Sequence, residues 1–297
     1  MNPKIHRLLL GAHMSIAGGL VQALERGHSI GCTTIQLFTK SNRQWGAKPL
    51  NSVETQEFKE AAKIFNIAPV IAHATYLINL GSPDITIQKK SIDAVIMELD
   101  RCAELDIPYF VLHPGSCLQT NENDCLQRIA QNLDIALSQT TSKTLVLLET
   151  MAGQGSVMCY SFEHIAHILH QSQYKQRLGV CFDTCHVFAA GYDFRTIQTY
   201  NAMWENFDKI IGLRQLKVIH VNESKKTLGS RVDRHAHIGE GNIGLEAFRL
   251  LFNDPRFFDI PKILETPKDS LEDDMRNINA IKQLISPKTK KLLYIED

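Results

Sequence analysis

The sequence carries no net charge, has no CxxC pair and contains no long apolar run. Its 32 basic and 32 acidic residues cancel over 297 positions, with histidine counted as neutral. That excludes attachment to nucleic acid by bulk charge alone, although it leaves room for a local site. No stretch reaches the roughly 18–20 apolar residues of a membrane span. The run Leu8–Leu10 is too short for the core of a secretory signal, and Gly11-Ala12-His13 follows at once. Seven cysteines, an odd number without close pairs, point to reduced thiols and a cytoplasmic compartment. With 44% hydrophobic and 22% charged residues, the composition excludes disorder, collagen and coiled coil. No linker or low-complexity segment divides the chain, so residues 1–297 read as one domain. A chain of this length buries about 75% of its unfolded surface and folds without a disulfide or metal staple.

What the chain does have is a series of short apolar runs. They are Arg7–Ala12, Thr34–Phe38, Pro69–Ala72, Tyr109–Leu112, Leu145–Leu148, Gly179–Phe182, Lys217–Ile219 and Lys262–Leu264. Continuous apolar character, rather than alternation, is the mark of parallel strands covered on both faces. The runs start 27 to 45 residues apart, which leaves room for one helix in each gap. Amphipathic patterns occupy those gaps, as at Val53–Phe65, Gln88–Leu105, Glu122–Ser138 and Phe162–Leu169. Another, Leu271–Leu284, follows the last run, with Asp269-Ser270 as a cap-like start. Eight strand–helix repeats in this length predict a TIM (β/α)8 barrel, with an open doubly wound sheet as the alternative. The basic cluster Lys288-Thr289-Lys290-Lys291 reads as a solvated tail end.

The residue that follows each run carries the chemistry. The first run leads to His13, the third to His73 and the fourth to His113. The fifth leads to Glu149, the sixth to Asp183, the seventh to His220 and the eighth to Glu265. Only the second, ending in Thr39-Lys40, lacks a histidine or carboxylate. A barrel gathers the C-terminal ends of its strands at one rim, where active sites sit. A lone histidine at a strand end is usually a satisfied polar residue, but this repetition is not explained that way. Buried carboxylates without a cation are costly, and histidine with Asp/Glu on rigid strands is a zinc or manganese ligand set. Asp183-Thr184-Cys185-His186 and Asp233-Arg234-His235 add further donors. The candidate set is His73, His113, Glu149, Asp183, His186, His220, Asp233, His235 and Glu265. Nine donors exceed one tetrahedral zinc and suffice for two or three ions with bridging carboxylates. The absence of cysteine among the strand-end residues favours an open catalytic site over a closed structural one.

The other histidines read as structural. His164, His167 and His170 lie along one predicted helix, and His6 and His28 flank the first run. His237 is read as outside the set, and His13 as a supporting or substrate-contacting residue. Cys181 is assigned to the core and Cys185 to packing beside the site.

Several segments together resemble the endonuclease IV family of zinc-dependent apurinic/apyrimidinic endonucleases. They include Gly11-Ala12-His13-Met14-Ser15, Leu37-Phe38-Thr39-Lys40 and Arg43-Gln44-Trp45. Then come His73 with Tyr76-Leu77-Ile78-Asn79-Leu80-Gly81, His113-Pro114-Gly115 and Glu149-Thr150-Met151-Ala152-Gly153-Gln154-Gly155. Phe182–His186, His220-Val221-Asn222, Gly229–His235, Gly239-Glu240-Gly241 and Leu264-Glu265-Thr266-Pro267 complete the series. Each segment is weak alone; in this order over nearly the whole chain they are specific. Glu223 stands where the family usually has Asp, and Ala74 where a polar residue can occur.

The resemblance implies a TIM barrel with three zinc ions, manganese being able to replace zinc in part. His73, His113 and Glu149 would hold one ion, with Glu149 bridging and serving catalysis. Asp183, His220 and Glu265 would complete the second site, and His186, Asp233 and His235 would hold the third. The implied partner is double-stranded DNA with abasic sites, cut by a monomer that needs no membrane. The phosphodiester 5′ to the lesion would be hydrolysed to a 3′-hydroxyl and a 5′-deoxyribose phosphate. Zinc acidifies bound water to a pKa near 7, which suits that chemistry. Arg43, Tyr76 and Leu77 would enter the damaged duplex, and Arg231 and Arg234 would contact phosphates. A metal-dependent sugar isomerase or epimerase on the same barrel is the alternative, and a catalytically silent DNA-binding module is a second one.

Overall fold

The apolar runs become strands because neither of their faces meets water. The computed structural model describes residues 5–294, so the expected span of 1–297 extends beyond them at both ends. The strands in chain order are β1 (His6–Arg7), β2 (Leu10–Met14), β3 (Ile35–Leu37) and β4 (Val70–His73). Next are β5 (Tyr109–Leu112), β6 (Leu145–Glu149), β7 (Leu178–Asp183) and β8 (Leu216–His220). The last are β9 (Glu223–Ser224), β10 (His235–Ala236), β11 (Lys262–Leu264) and β12 (Leu293–Tyr294). Strands β2 to β8 pair in parallel in sequence order, and β11 closes the barrel by joining β8 to β2. This is the predicted TIM barrel, and closure rules out the open sheet.

Helices fill the gaps. They are α1 (Leu20–Ser29), α2 (Ser52–Ile64), α3 (Ile85–Glu104), α4 (Glu122–Ser138) and α5 (Phe162–Gln171). After β7 come α6 (Thr184–Ala190), α7 (Ile197–Ile210), α8 (Leu245–Phe252), α9 (Leu271–Leu284) and the short α10 (Pro287–Lys290). Their starts are set by side chains that accept the free N–H groups of a first turn. Asn51 and Glu54 form a reciprocal capping box at α2, and Asp84 accepts from Thr86 and Ile87 at α3. That Asp84 cap lets α3 begin three residues before the Gln88 start read from periodicity. At α9 the Asp273 carboxylate accepts from the backbone N–H groups of Asp269 and Ser270, the cap expected there.

The first strand departs from expectation. The barrel strand is Leu10–Met14, not Arg7–Ala12, because His6–Arg7 pair instead with Leu293–Tyr294 in a separate two-stranded ladder. His13 therefore lies within the strand rather than beyond it. At the other terminus the lysines of the 288–291 cluster are exposed, while Thr289 is buried and donates its N–H to Ser286, the cap of α10.

The core forms in two layers. Ile71, Val111, Leu147, Cys181, Val218 and Ile263, one from each of β4 to β8 and β11, make a buried cluster inside the barrel. The outward residues join a larger core against the helices, as where Phe182 packs on Trp204 of α7 at 4.6 Å between ring centroids. Alternation along a strand fixes what stands above the inner layer. Two residues beyond each inner member lie His73, His113, Glu149, Asp183, His220 and Glu265. All seven cysteines are unpaired and buried. Among the described residues no helix is long and apolar enough to cross a membrane.

Candidate metal centre

Glu149, fully buried at the end of β6, is the hub of the rim. One carboxylate oxygen lies 3.3 Å from His73 Nε2 and 3.1 Å from His113 Nε2. The other lies 3.2 Å from Nδ1 of both His186 and His220. His220 Nδ1 is also 3.2 Å from Glu265 Oε2 and 3.7 Å from Asp183 Oδ2. To one side, the Asp233 carboxylate sits between His186 Nε2 at 3.0 Å and His235 Nε2 at 3.2 Å. Donor atoms therefore converge in groups: His73, His113 and Glu149; then Glu149, Asp183, His220 and Glu265; then Asp183, His186 and His235. Cys185, Asp233 and His235 also lie close together, but burial pushes the Cys185 thiol up to about 12 and so favours its protonated form.

Backbone carbonyls hold three of the imidazoles in place. His73 Nδ1 donates to the Ala74 carbonyl at 2.7 Å, His186 Nδ1 to Thr150 at 2.9 Å and His235 Nδ1 to Glu265 at 2.9 Å. Each bond leaves Nε2 as the lone-pair atom facing the carboxylates, the usual way a protein sets a metal-binding tautomer. Nε2 of His186 and of His235 are buried, and each faces the Asp233 carboxylate without the geometry of a hydrogen bond. Inward-facing nitrogens poorly bonded to the carboxylates beside them fit a divalent cation, and the mixed N/O donors suit zinc or manganese.

The electrostatics agree. Burial opposes a charge on Glu149, yet His113 and His220 hold its carboxyl well below the ordinary range. Asp183 goes the other way: burial raises it, and His186 and His235 offset only part. Burial also works against protonating His186, His220 and His235, but the carboxylates around them prevail. His235 rises to about 9, held by Asp233 and Asp183. Four clustered carboxylates thus call for positive charge at this rim, which a bound cation would supply in place of protons on histidine.

Several supporting residues are visible only in three dimensions. Asn222 donates to Asp183 Oδ2 at 2.6 Å and accepts from the Glu265 N–H at 2.8 Å, so one amide steadies two carboxylate residues. Gln154 accepts from the Asp233 N–H at 2.9 Å and ties down that loop. Gln36 of β3 reaches Glu265, His13 and His220. The second barrel strand therefore does contribute a polar group to the rim, though not at Thr39-Lys40. Its signal was a lone polar residue inside Thr34-Ile35-Gln36-Leu37-Phe38. Glu223 accepts from the N–H groups of Ser224, Ile243 and Gly244, binding the loop that leads into α8. Ala74 packs in the core, and its carbonyl does what any residue's would.

The remaining candidates take varied positions. Tyr76 is 58% exposed, with its ring 5.5 Å from those of His73 and His113. Leu77 beside it is half-buried, while Arg43, Arg231 and Arg234 are exposed. Arg231 adopts a positive φ of 53° and stacks on Tyr160 at 4.6 Å. Trp45 packs against the core, and His237 Nδ1 meets Asn277 of α9 at 3.1 Å, away from the donor groups. His28 stacks on Phe65, and His6 pairs with Asp259, as structural residues would.

Fold and rim together define a xylose isomerase-like TIM barrel, whose family model matches residues 24–286. The probable endonuclease 4 of Chloroflexus aurantiacus is 47% identical over 277 residues, 93% of this chain and 97% of that protein. The probable endonuclease 4 of Geobacter sulfurreducens is 45% identical over 284 residues, 95% and 96% of the two chains. The crystal structure of endonuclease IV from Thermus thermophilus superposes with a TM-score of 0.83 at 34% identity, covering 93% of this chain and 98% of that one. The chain belongs to the endonuclease IV family. A D-tagatose 3-epimerase-like protein, at 17% identity and a TM-score of 0.69, shares the fold alone.

Proposed function

We propose that this single-domain barrel hydrolyses the phosphodiester 5′ to an abasic site in duplex DNA, leaving a 3′-hydroxyl and a 5′-deoxyribose phosphate. The observation that carries the reading is the convergence of nine His/Asp/Glu side chains around Glu149. A sugar isomerase or epimerase site needs one or two ions and so fewer donors. His73, His113 and Glu149 would hold one zinc, and Glu149, Asp183, His220 and Glu265 a second. His186, Asp233 and His235 would hold the third. When bound, the ions supply Lewis acidity: they acidify water and neutralise phosphate charge. That charge is placed at the rim of a neutral chain, which draws phosphate there without a basic surface.

The chain's own groups do the rest. Glu149, whose two oxygens face different donor groups, would bridge two of the sites and help to orient the attacking water. Tyr76 and Leu77 leave the rim directly after His73, where an aromatic and an apolar side chain can fill the gap left by a missing base. Arg43 supports that insertion from the neighbouring loop, and Arg231 and Arg234 offer phosphate contacts. The test is a labelled duplex with one abasic analogue, incubated with and without chelator. Nicking on the 5′ side that is lost with chelator and restored by zinc supports the reading. Ketose turnover without nicking replaces it with the isomerase.

A further inference from the structure

We propose that Gln36 is a positioning residue that sets the tautomer of His220 and aims the Glu265 carboxylate. The role rests on the reading of this rim as metal-binding. Gln36 is fully buried on β3, and both ends of its amide are engaged. Oε1 accepts from His220 Nε2 at 2.8 Å. The amide NH2 donates to Glu265 Oε1 at 2.6 Å and to His13 Nδ1 at 2.9 Å. Both donors and one lone pair of the oxygen are thus engaged.

His220 is the exception that makes such a residue necessary. His73, His186 and His235 turn Nε2 to the carboxylates and tether Nδ1 to a nearby backbone carbonyl. His220 is reversed: Nδ1 faces Glu149, Glu265 and Asp183, so Nε2 must carry the proton if Nδ1 is to offer a lone pair. Nε2 points away from its own backbone, and the acceptor comes from β3, a strand 184 residues away in sequence. The same amide occupies one oxygen of Glu265 and leaves the other toward His220 Nδ1. Because Gln36 donates to His13 Nδ1, the His13 proton falls on Nε2, a buried atom with no hydrogen bond. An amide alone combines these functions. Glutamate could accept from His220 but not donate to Glu265; an aliphatic residue could do neither.

The test uses long-range proton–nitrogen correlation spectra of histidine-labelled protein as purified, with metal retention measured by chelator competition. In the wild type, His220 shows its proton on Nε2. In Gln36→Met that preference is lost, and metal retention falls about tenfold or more, the usual cost of removing a partner behind a ligand. Gln36→Glu keeps the His220 tautomer yet still lowers retention, because Glu265 loses its donor and gains a like charge. Circular dichroism checks that each variant is folded. An unchanged His220 tautomer in folded Gln36→Met overturns the proposal. So does a proton on His220 Nδ1 in the wild type, a result that requires no variant to fold. Wild-type protein that holds no metal and takes up none refutes the metal reading instead, and the tautomer spectra still judge Gln36.

Discussion

Glu149 faces four imidazoles and Glu265 faces two. Changing either to Gln preserves shape and removes one negative donor. Turnover on an abasic duplex should fall by several orders of magnitude while circular dichroism stays unchanged. His167→Ala, on the outer helix α5, should leave turnover near wild type. Equal losses in both classes would refute the rim as the reacting centre. Leu77 tests recognition separately from chemistry, because it belongs to none of the donor groups. Leu77→Ala should weaken binding to abasic duplex by about 1–3 kcal/mol, the worth of one large apolar side chain. Undamaged duplex, held by phosphates, should be affected much less, and zinc content not at all. Titration of both duplexes at one salt concentration measures this. If both affinities are unchanged, Leu77 merely packs its loop.

At the scale of elements, a buried ion pair ties together the two loops that carry Arg43 and Tyr76-Leu77. Lys40 Nζ lies 3.5 Å from Glu98 Oε1 of α3, with both side chains nearly inaccessible. Lys40 also donates to the carbonyls of Ser41 and Gln44, on either side of Arg43. Glu98 accepts from the Thr75 N–H, and Thr75 Oγ1 donates to the Asn42 carbonyl at 2.6 Å. The Arg43 loop and the Tyr76-Leu77 loop are therefore anchored to one another. Burial raises the Glu98 carboxyl, and Lys40 is the main counterweight. Lys40→Met should cost about 3–5 kcal/mol in urea unfolding, because it strands a buried carboxylate. The double change Lys40→Met with Glu98→Leu should recover part of that loss. A double variant less stable than Lys40→Met alone would contradict this account.

Over the whole molecule, the two ends of the barrel do different work. The apolar inner layer and the helix-packed outer layer are complete without any ion, so the fold has its own core. Chelation should therefore abolish cleavage and leave circular dichroism largely intact, while elemental analysis of active protein should approach three zinc per chain. Full activity with a single metal would refute the three-ion assignment. At the opposite end of β11 from Glu265, Lys262 is buried, and burial pushes its amine down to about 7, against an ordinary 10.5. It donates to the carbonyls of Phe257 and Ile260. Between those two values the unfolded chain binds more protons at this residue than the folded one. Its contribution thus makes stability rise with pH from about 7 toward 10.5. Lys262→Met removes that contribution, so the stability of wild type relative to the variant should rise with pH across this window. Urea midpoints at several pH values measure the difference, and a constant gap would show that Lys262 does not titrate in this window.

The order of runs and gaps determined the barrel, because parallel strands buried on both faces must be apolar and evenly spaced. The rim residues were legible for a related reason. Side chains alternate along a strand, so the polar residue two past each inner apolar one lies on the same face, as His73 does above Ile71. The first strand was misplaced because Arg7 pairs with Tyr294, a contact between opposite ends of the chain. Gln36 and Glu223 were not legible as supports, since a buried amide or carboxylate reveals its purpose only through what it touches. Those partners lie on other strands and loops, brought within hydrogen-bond reach by closure of the barrel. Local pattern decided which residues face the rim. Which nitrogen of each imidazole faces inward, and which two loops are tied together by Lys40 and Glu98, only the tertiary structure could decide, because hydrogen bonds and buried charges are settled by distance in space.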